Sequence, residues 1–155
     1  MKGHDRIIET LNGLLADELT AINQYMVHSE MCANWNYGKL HEKIEKRAID
    51  EMKHAEKLIA RILYLEGKPV VSNLREMHIG QDVETQLNND LKDEYGAIRA
   101  YNAGIALAVQ HADNGSRELL ESILKDEEDH ADWLEAQLDQ IKQMGIQNYL
   151  AQQAG

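Results

Sequence analysis

The chain has no phenylalanine, one proline and one cysteine among its 155 residues. A single cysteine excludes an internal disulfide framework and any zinc or iron–sulfur site that needs several cysteines from one chain. No apolar run is long enough to cross a bilayer, and the N-terminal residues lack the apolar region of a signal peptide. We therefore expect a cytoplasmic protein with no membrane partner.

Positive charge is also scarce, since 16 Lys and Arg stand against 27 Asp and Glu and the formal net charge is −11. The one short basic cluster is Lys43, Lys46 and Arg47, so nucleic acid is not an expected partner. An acidic protein instead concentrates cations near its surface. The residues that are abundant (Ala, Leu, Glu, Lys and Gln) favour helices over strands.

Four seams of mostly apolar residues repeat at alternating intervals of three and four, which is the period of an amphipathic helix. They cover residues 8–29, 44–65, 87–108 and 120–141. The breaks between them are residues 34–38, the terminator Gly67-Lys68-Pro69, and a turn at 113–116 in which Ser116 is the predicted N-cap of the fourth helix. Gly145 ends the fourth seam, and residues 146–153 are expected to form a short fifth helix.

The longest connection is the stretch 70–82, which shows no clear period. Short links within two helix pairs, with a longer link between the pairs, predict an all-α, ferritin-like four-helix bundle with one long crossover. We expect this bundle, with its short C-terminal helix, to form a single domain over residues 1–155.

The two halves of the chain are related by a constant offset of 76 residues. The segment 17–25 matches 93–101, and 50–55 matches 126–131. Each half therefore has one Glu on its first helix and a Glu-x-x-His on its second, and 33 residues separate the two glutamates. One Glu-x-x-His is weak evidence by itself, but the shared offset indicates two halves of one site. That site comprises Glu18, Glu51, His54, Glu94, Glu127 and His130.

All four glutamates fall in the apolar seams, where unpaired carboxylates are costly to bury. No Lys or Arg lies in the seams; Arg47, Arg61 and Arg99 approach only from the flanks. Two divalent ions balance four carboxylates, and two neutral imidazoles complete the ligand sets. Oxygen-rich ligands with one nitrogen per metal suit iron or manganese better than structural zinc, so the pattern predicts a di-iron carboxylate centre with these six residues as metal ligands and catalytic residues.

Tyr25 and Tyr101 follow Glu18 and Glu94 by seven residues, on nearly the same helix face and about 10 Å further along. Each suits a core position with a hydrogen-bonded hydroxyl. The alternative hypothesis is a redox role, in which Tyr25 donates an electron during oxygen reduction.

Nearly the whole chain resembles the bacterioferritin family. The resemblance includes the opening Met-Lys-Gly and the long blocks at residues 18–25, 49–55, 61–69, 127–130 and 148–150. It implies ferroxidase activity on Fe(II), with oxygen or peroxide as oxidant and two iron ions per subunit. It also implies storage of ferric mineral in a hollow 24-subunit shell of two-fold dimers. In that family's pattern Glu51 and Glu127 bridge the irons, Glu18 and Glu94 are terminal carboxylates, and His54 and His130 supply nitrogen.

The resemblance further implies haem b between two-fold-related subunits, with Met52 of each subunit as an iron ligand. Helix geometry agrees, because Met52 lies about 100° from Glu51 and about 160° from His54, and so points out of the bundle. On a two-fold interface an outward Met meets its own copy. Without the resemblance, Met52 reads as an ordinary interface methionine. Its counterpart in the repeat is Glu128.

The chain departs from some family members at Lys46, where they have a histidine that forms an inner-wall iron site with Asp50. Lys46 places that accessory site in doubt. A small iron–sulfur ferredoxin that reduces the haem is a partner implied by the resemblance alone.

Three other classes compete with this interpretation, besides a non-haem ferritin. A DNA-protecting mini-ferritin typically has a basic tail, which this sequence lacks, and an iron site between subunits. A rubrerythrin-like peroxidase needs further cysteines for a rubredoxin iron. A purely structural bundle leaves the four seam glutamates unexplained.

Overall fold

The computed structural model describes all 155 residues and contains five helices and no strand. The helices are α1 (Asp5–Asn34), α2 (Gly38–Tyr64), α3 (Val83–Gln110), α4 (Asn114–Met144) and α5 (Ile146–Gln153). None of them has the length and apolar character that a membrane span requires. Residues 65–82, between α2 and α3, contain no helix.

The four long helices form two hairpins, α1 on α2 and α3 on α4, which join mainly through α1 and α3. The short α5 packs on α4 and on α2. This confirms the predicted all-α, ferritin-like four-helix bundle with one long crossover and a short fifth helix.

The crossover (residues 65–82) lies along α1, where a row of polar side chains binds its backbone. These side chains are Asn12, Thr20, Gln24 and His28, and their backbone partners at 2.8–3.1 Å are Lys68, Val70, Arg75, His78 and Gly80. Because a segment without secondary structure cannot satisfy its own backbone groups, these side chains replace the missing internal hydrogen bonds. The crossover thus traverses the bundle from the level of Asn12 to that of His28.

The apolar core consists of two clusters with a polar layer between them. One contains 12 buried residues, among them Leu11 and Leu58, and the other contains nine, among them Tyr25 and Leu134. Each long helix contributes to one cluster, then a glutamate, then the other cluster. The layer between the clusters is therefore enclosed at both ends by apolar side chains.

One predicted helix boundary, the N-cap of α4, is wrong in detail. The N-cap of α4 is Asp113, whose carboxylate accepts from the backbone N–H of Ser116 at 3.0 Å and from its hydroxyl at 2.7 Å. The carboxylate reaches the third N–H of the helix, so Ser116 lies within the first turn. At the end of α2, which stops before the predicted terminator Gly67-Lys68-Pro69, the left-handed residue is Glu66, at φ 61°.

The same kind of ending occurs after α1 and α3, at Asn36 (φ 64°) and Ala112 (φ 53°). After α3, the N–H of Asp113 donates to the Ala108 carbonyl at 2.8 Å and closes the helix. Glycine is the usual residue here, because a Cβ makes left-handed backbone unfavourable by about 1–2 kcal/mol. The hydrogen bonds of the turn impose this backbone on Ala112.

Replacing Ala112 by glycine should therefore stabilise the protein by about 0.5–1 kcal/mol, because it removes the cost of left-handed backbone at a residue with a Cβ. The gain is smaller than that cost, because glycine also raises the conformational entropy of the unfolded chain. The matched control is Ala106→Gly, an exposed position inside α3, which should destabilise by about 1 kcal/mol. Urea unfolding followed by circular dichroism measures both. Two changes of the same sign would contradict this assignment of the turn.

Candidate metal centre

The six residues predicted to form the centre converge in the polar layer between the two apolar clusters. Their exposed fractions are at most 6%. Each long helix contributes: α1 gives Glu18, α3 gives Glu94, and α2 and α4 each give a Glu and a His one turn apart. The i, i+3 spacing places each Glu-x-x-His pair on the inward face of its helix.

The donor atoms divide into two groups that share two members. One group is Glu18, Glu51, His54 and Glu127, and the other is Glu51, Glu94, Glu127 and His130. Within each group the donor atoms lie within 4.8 Å of one another. Since Glu51 and Glu127 belong to both, the geometry has room for two ions with two shared carboxylates.

Each histidine turns its Nδ1 toward the carboxylates of the opposite half. His54 Nδ1 lies 3.0 Å from Glu127 Oε1, and His130 Nδ1 lies 3.1 Å from Glu51 Oε1. On the other side of the ring, His54 Nε2 donates to Asp126 at 2.9 Å. Metal-ligating histidines usually donate their second N–H to a carboxylate in this way, which directs the lone pair of the other nitrogen at the metal.

The tyrosines link the two halves of the bundle. The Tyr25 hydroxyl donates to Glu94, and the Tyr101 hydroxyl donates to Glu18, in both cases through very short hydrogen bonds. Each tyrosine thus holds the glutamate of the other helix, not the one that precedes it on its own helix. The hydrogen-bonded core role expected for both residues is confirmed.

A metal fits this arrangement because buried polar atoms of all six residues lack partners. One side-chain atom of each residue is buried without a hydrogen bond: Glu18 Oε2, Glu51 Oε1, His54 Nδ1, Glu94 Oε2, Glu127 Oε1 and His130 Nδ1. An unsatisfied buried polar atom costs about 1–3 kcal/mol, and more when it is charged. Cations coordinated at these atoms would remove that cost.

Burial and the closeness of the four carboxylates shift the pKa values of the residues in the centre. Burial and the nearby charges of Glu18 and Glu127 raise the pKa of Glu51 well above its usual value. Burial and Glu127 do the same to the pKa of Glu94. Burial disfavours protonated His54, but the carboxylates of Glu127 and Glu18 beside its ring outweigh that effect and raise its pKa to about 10. Protons thus replace part of the missing positive charge.

A cavity of about 440 Å³ reaches the centre from the side of α1, α3 and the crossover. Its inner wall includes Glu18 and Glu94, and Asp17 and Asp93 line it further out. Arg75, Lys92 and Arg99 line it as well, so the opening carries side chains of both signs around the glutamates at its inner wall.

Outside the centre, Met52 lies on the outward face of α2 and is 46% exposed. Glu128, its counterpart in the repeat, is also exposed. The expected outward orientation of Met52 is therefore confirmed. Lys46, the residue that departs from some family members, forms an ion pair with Asp50 at 3.2 Å.

Sequence reasoning assigned no role to Asp126 as a partner of His54. Asp50 occupies the matching position in the other half, with its carboxylate 3.7 Å from His130 Nε2. The signal was present, because the 76-residue offset relates Asp50 to Asp126 as well as Glu51 to Glu127. The cross-half partners of Tyr25 and Tyr101 had no such signal, since helix periodicity does not show which neighbouring helix a side chain reaches.

The sequence of the chain matches a known protein family. The sequence profile of the ferritin-like domain matches residues 8–144. The chain belongs to the ferritin family. All six residues of the centre lie inside the matched region, so the ferritin domain includes the whole site.

Several relatives of this ferritin match over almost their full length. A bacterial ferritin of Pseudomonas aeruginosa is 45% identical over 154 residues, 99% of each chain. A bacterioferritin of Brucella melitensis is 40% identical over 149 residues, covering 96% of this chain and 92% of the relative. A bacterioferritin of Mycobacterium leprae is 40% identical over 152 residues, covering 98% and 96%. The resemblance to bacterioferritins is confirmed.

The pKa shifts predict how the stability of the metal-free ferritin depends on pH. Stabilisation from protonated His54 is complete below its unfolded pKa of 6.5 and is lost as pH rises through about 10. The raised pKa values of Glu51 and Glu94 act in the same direction from pH 4.5 upward. The thermal midpoint of chelator-treated protein should therefore fall by several degrees between pH 6.5 and pH 10.

Adding Co²⁺ should reduce that fall, because metal binding requires deprotonated ligands and strengthens as pH rises. His54→Gln should flatten the metal-free profile, whereas His41→Gln, a partly exposed histidine on the same helix, should leave it unchanged. A His54→Gln profile as steep as that of the wild type would show that this histidine does not carry the effect.

Proposed function

We propose that this ferritin is an iron-storage ferroxidase of the bacterioferritin type, which oxidises Fe(II) with oxygen or peroxide (an activity of class EC 1.16.3.1). The observation that carries the proposal is the unpartnered donor atom on each of six buried residues, arranged in two groups with two shared carboxylates. The relatives named bacterioferritin support iron as the metal. Carboxylate-rich sets with one nitrogen per metal suit iron.

Each residue then has a distinct task. Glu51 and Glu127 bridge two Fe(II) substrate ions, Glu18 and Glu94 are terminal ligands, and His54 and His130 supply nitrogen. Asp126 fixes the ring of His54, which keeps Nδ1 directed at the substrate. On Fe(II) binding, the protons held by His54, Glu51 and Glu94 leave, so the ligands become available as the positive charge arrives.

The tyrosines have a positioning task and, for Tyr25, a second candidate task. Their hydroxyls hold Glu94 and Glu18 at the open side of the site. Burial and the nearby charge of Glu94 raise the pKa of Tyr25, so it retains its proton. We keep the hypothesis that Tyr25 also donates an electron during oxygen reduction.

The storage role follows from the family. We propose that ferric mineral collects inside a hollow shell of 24 subunits built from two-fold dimers, in the cytoplasm. The alternatives are a non-haem ferritin and a DNA-protecting mini-ferritin. The centre is assembled from four helices of one chain. This favours a bacterioferritin or a non-haem ferritin over a mini-ferritin, whose iron site lies between subunits.

Haem b is the feature that separates a bacterioferritin from a non-haem ferritin. Met52 could hold a haem iron, because its side chain is exposed on the outer face of α2 and Ile49, one turn earlier, is exposed beside it. When bound, the haem would transfer electrons at the interface between subunits. A small iron–sulfur ferredoxin would reduce it. Met52 from each of two subunits would hold the iron.

Replacing Glu18, or both Glu51 and Glu127, by alanine should abolish rapid Fe(II) oxidation, because these variants lose a terminal ligand or both bridges. Stopped-flow absorbance after mixing the protein with Fe(II) and oxygen measures the rate, and native mass reports assembly. Glu9→Ala, an exposed glutamate on α1, is the control and should oxidise like the wild type. Rapid oxidation by either site variant would refute the assignment.

Met52→Leu should remove the haem absorption band and leave Fe(II) oxidation intact, since Met52 points away from the centre. The control Met144→Leu should keep the band. The measurement is the visible spectrum of protein purified from haem-replete cells. A wild-type protein that lacks the band under these conditions would indicate a non-haem ferritin.

A further inference from the structure

Arg47 is a buried cation without a partner. It is only 7% exposed, yet no carboxylate forms an ion pair with it and no acceptor forms a hydrogen bond with its guanidinium. The nearby aspartates have other partners: Lys46 pairs with Asp50, His54 with Asp126 and Lys125 with Asp129. None of its guanidinium nitrogens is among the fully buried unpartnered atoms, so the guanidinium reaches the adjoining cavity and is free to bind an acceptor there.

Arg47 lines a cavity of about 320 Å³ between α2 and α4, on the side of the centre away from the α1–α3 opening. Lys43 and Lys46 line the same cavity, as do the three aspartates that have other partners, Asp50, Asp126 and Asp129, and His130 links it to the metal centre. Two of the cations lie over the indole of Trp133, with Lys43 Nζ 5.6 Å and Arg47 Cζ 5.9 Å from its ring centroid. The cavity thus presents a planar guanidinium and a mobile ammonium together.

The metal centre partly compensates Arg47 while its carboxylates are charged. The guanidinium lines the same cavity as His130, a residue of the centre, so the charges of the centre act on it at short range. Two divalent ions would neutralise the four glutamates and remove this compensation. The demand for an anion beside Arg47 is then greater in metal-loaded protein than in metal-free protein.

We propose that this cavity binds inorganic phosphate, with the Arg47 guanidinium as a bidentate donor and Lys43 as a second cation. A tetrahedral oxyanion offers paired acceptor oxygens that match the fork of an arginine and leaves others for an ammonium. The proposal of a phosphate pocket depends only on Arg47 and its neighbours, and not on the proposed function. The further statement, that loading the centre with a divalent metal strengthens phosphate binding, rests on the proposed function.

Equilibrium dialysis of the assembled protein against radiolabelled phosphate tests the pocket, first without metal and then with stoichiometric Co²⁺. Arg47→Gln should weaken phosphate binding by about tenfold or more, because a charge-assisted bidentate contact is lost. The matched control is Arg99→Gln, which removes the same charge from an exposed arginine at the opposite opening of the centre. It should bind phosphate like the wild type.

Lys43→Gln gives an independent test, since Lys43 is exposed and its loss does not threaten folding. It should weaken binding by a smaller factor than Arg47→Gln. In the Co²⁺-loaded wild type, the ³¹P resonance of phosphate should broaden, and Arg47→Gln should abolish the broadening. Unchanged binding in both Arg47→Gln and Lys43→Gln, or an equal loss in Arg99→Gln, would overturn the pocket.

The dialysis with Co²⁺ tests the coupling between metal and phosphate separately from the phosphate pocket itself. Tighter phosphate binding with Co²⁺ supports the coupling. Binding that depends on Arg47 but not on Co²⁺ keeps the pocket and refutes the coupling. If Co²⁺ itself does not bind, the proposed metal centre fails, while the metal-free dialysis still decides the pocket.

Discussion

Four glutamates enclosed between two apolar clusters set the main constraint on this ferritin. No Lys or Arg forms an ion pair with them, and apolar side chains close the layer at both ends. Carboxylates so placed must take protons or bind cations. The raised pKa values of Glu51 and Glu94, and the protonated His54 beside them, describe the first state. The two overlapping donor groups describe the second.

The two halves of the bundle depend on each other at this layer. His54 faces Glu127, His130 faces Glu51, and each tyrosine holds the glutamate of the opposite half. Neither half has a complete site alone, because each donor group draws ligands from both hairpins. The internal repeat is therefore maintained as one pseudo-symmetric centre and not as two sites.

The two open sides of the centre differ in their lining. The side of α1, α3 and the crossover has Glu18 and Glu94 at its inner wall, with acidic and basic side chains further out. The side of α2 and α4 has Lys43, Lys46 and the unpartnered Arg47. The repeat is broken here, since Lys46 and Arg47 correspond by the 76-residue offset to Ser122 and Ile123. The proposed phosphate pocket thus lies on the side of the buried layer opposite the α1–α3 opening.

Sequence by itself determined the four helices, the crossover and the six residues of the centre. Helical periodicity shows which face of a helix points inward, and the constant offset pairs the two halves. It could not determine contacts between helices, such as Tyr25 with Glu94 or Asp126 with His54, because these depend on how the helices are rotated and offset. Nor could it show that Arg47, expected on a flank, is buried. Only packing against Trp133 decided that, since a long side chain can reach either solvent or the interior from the same helix position.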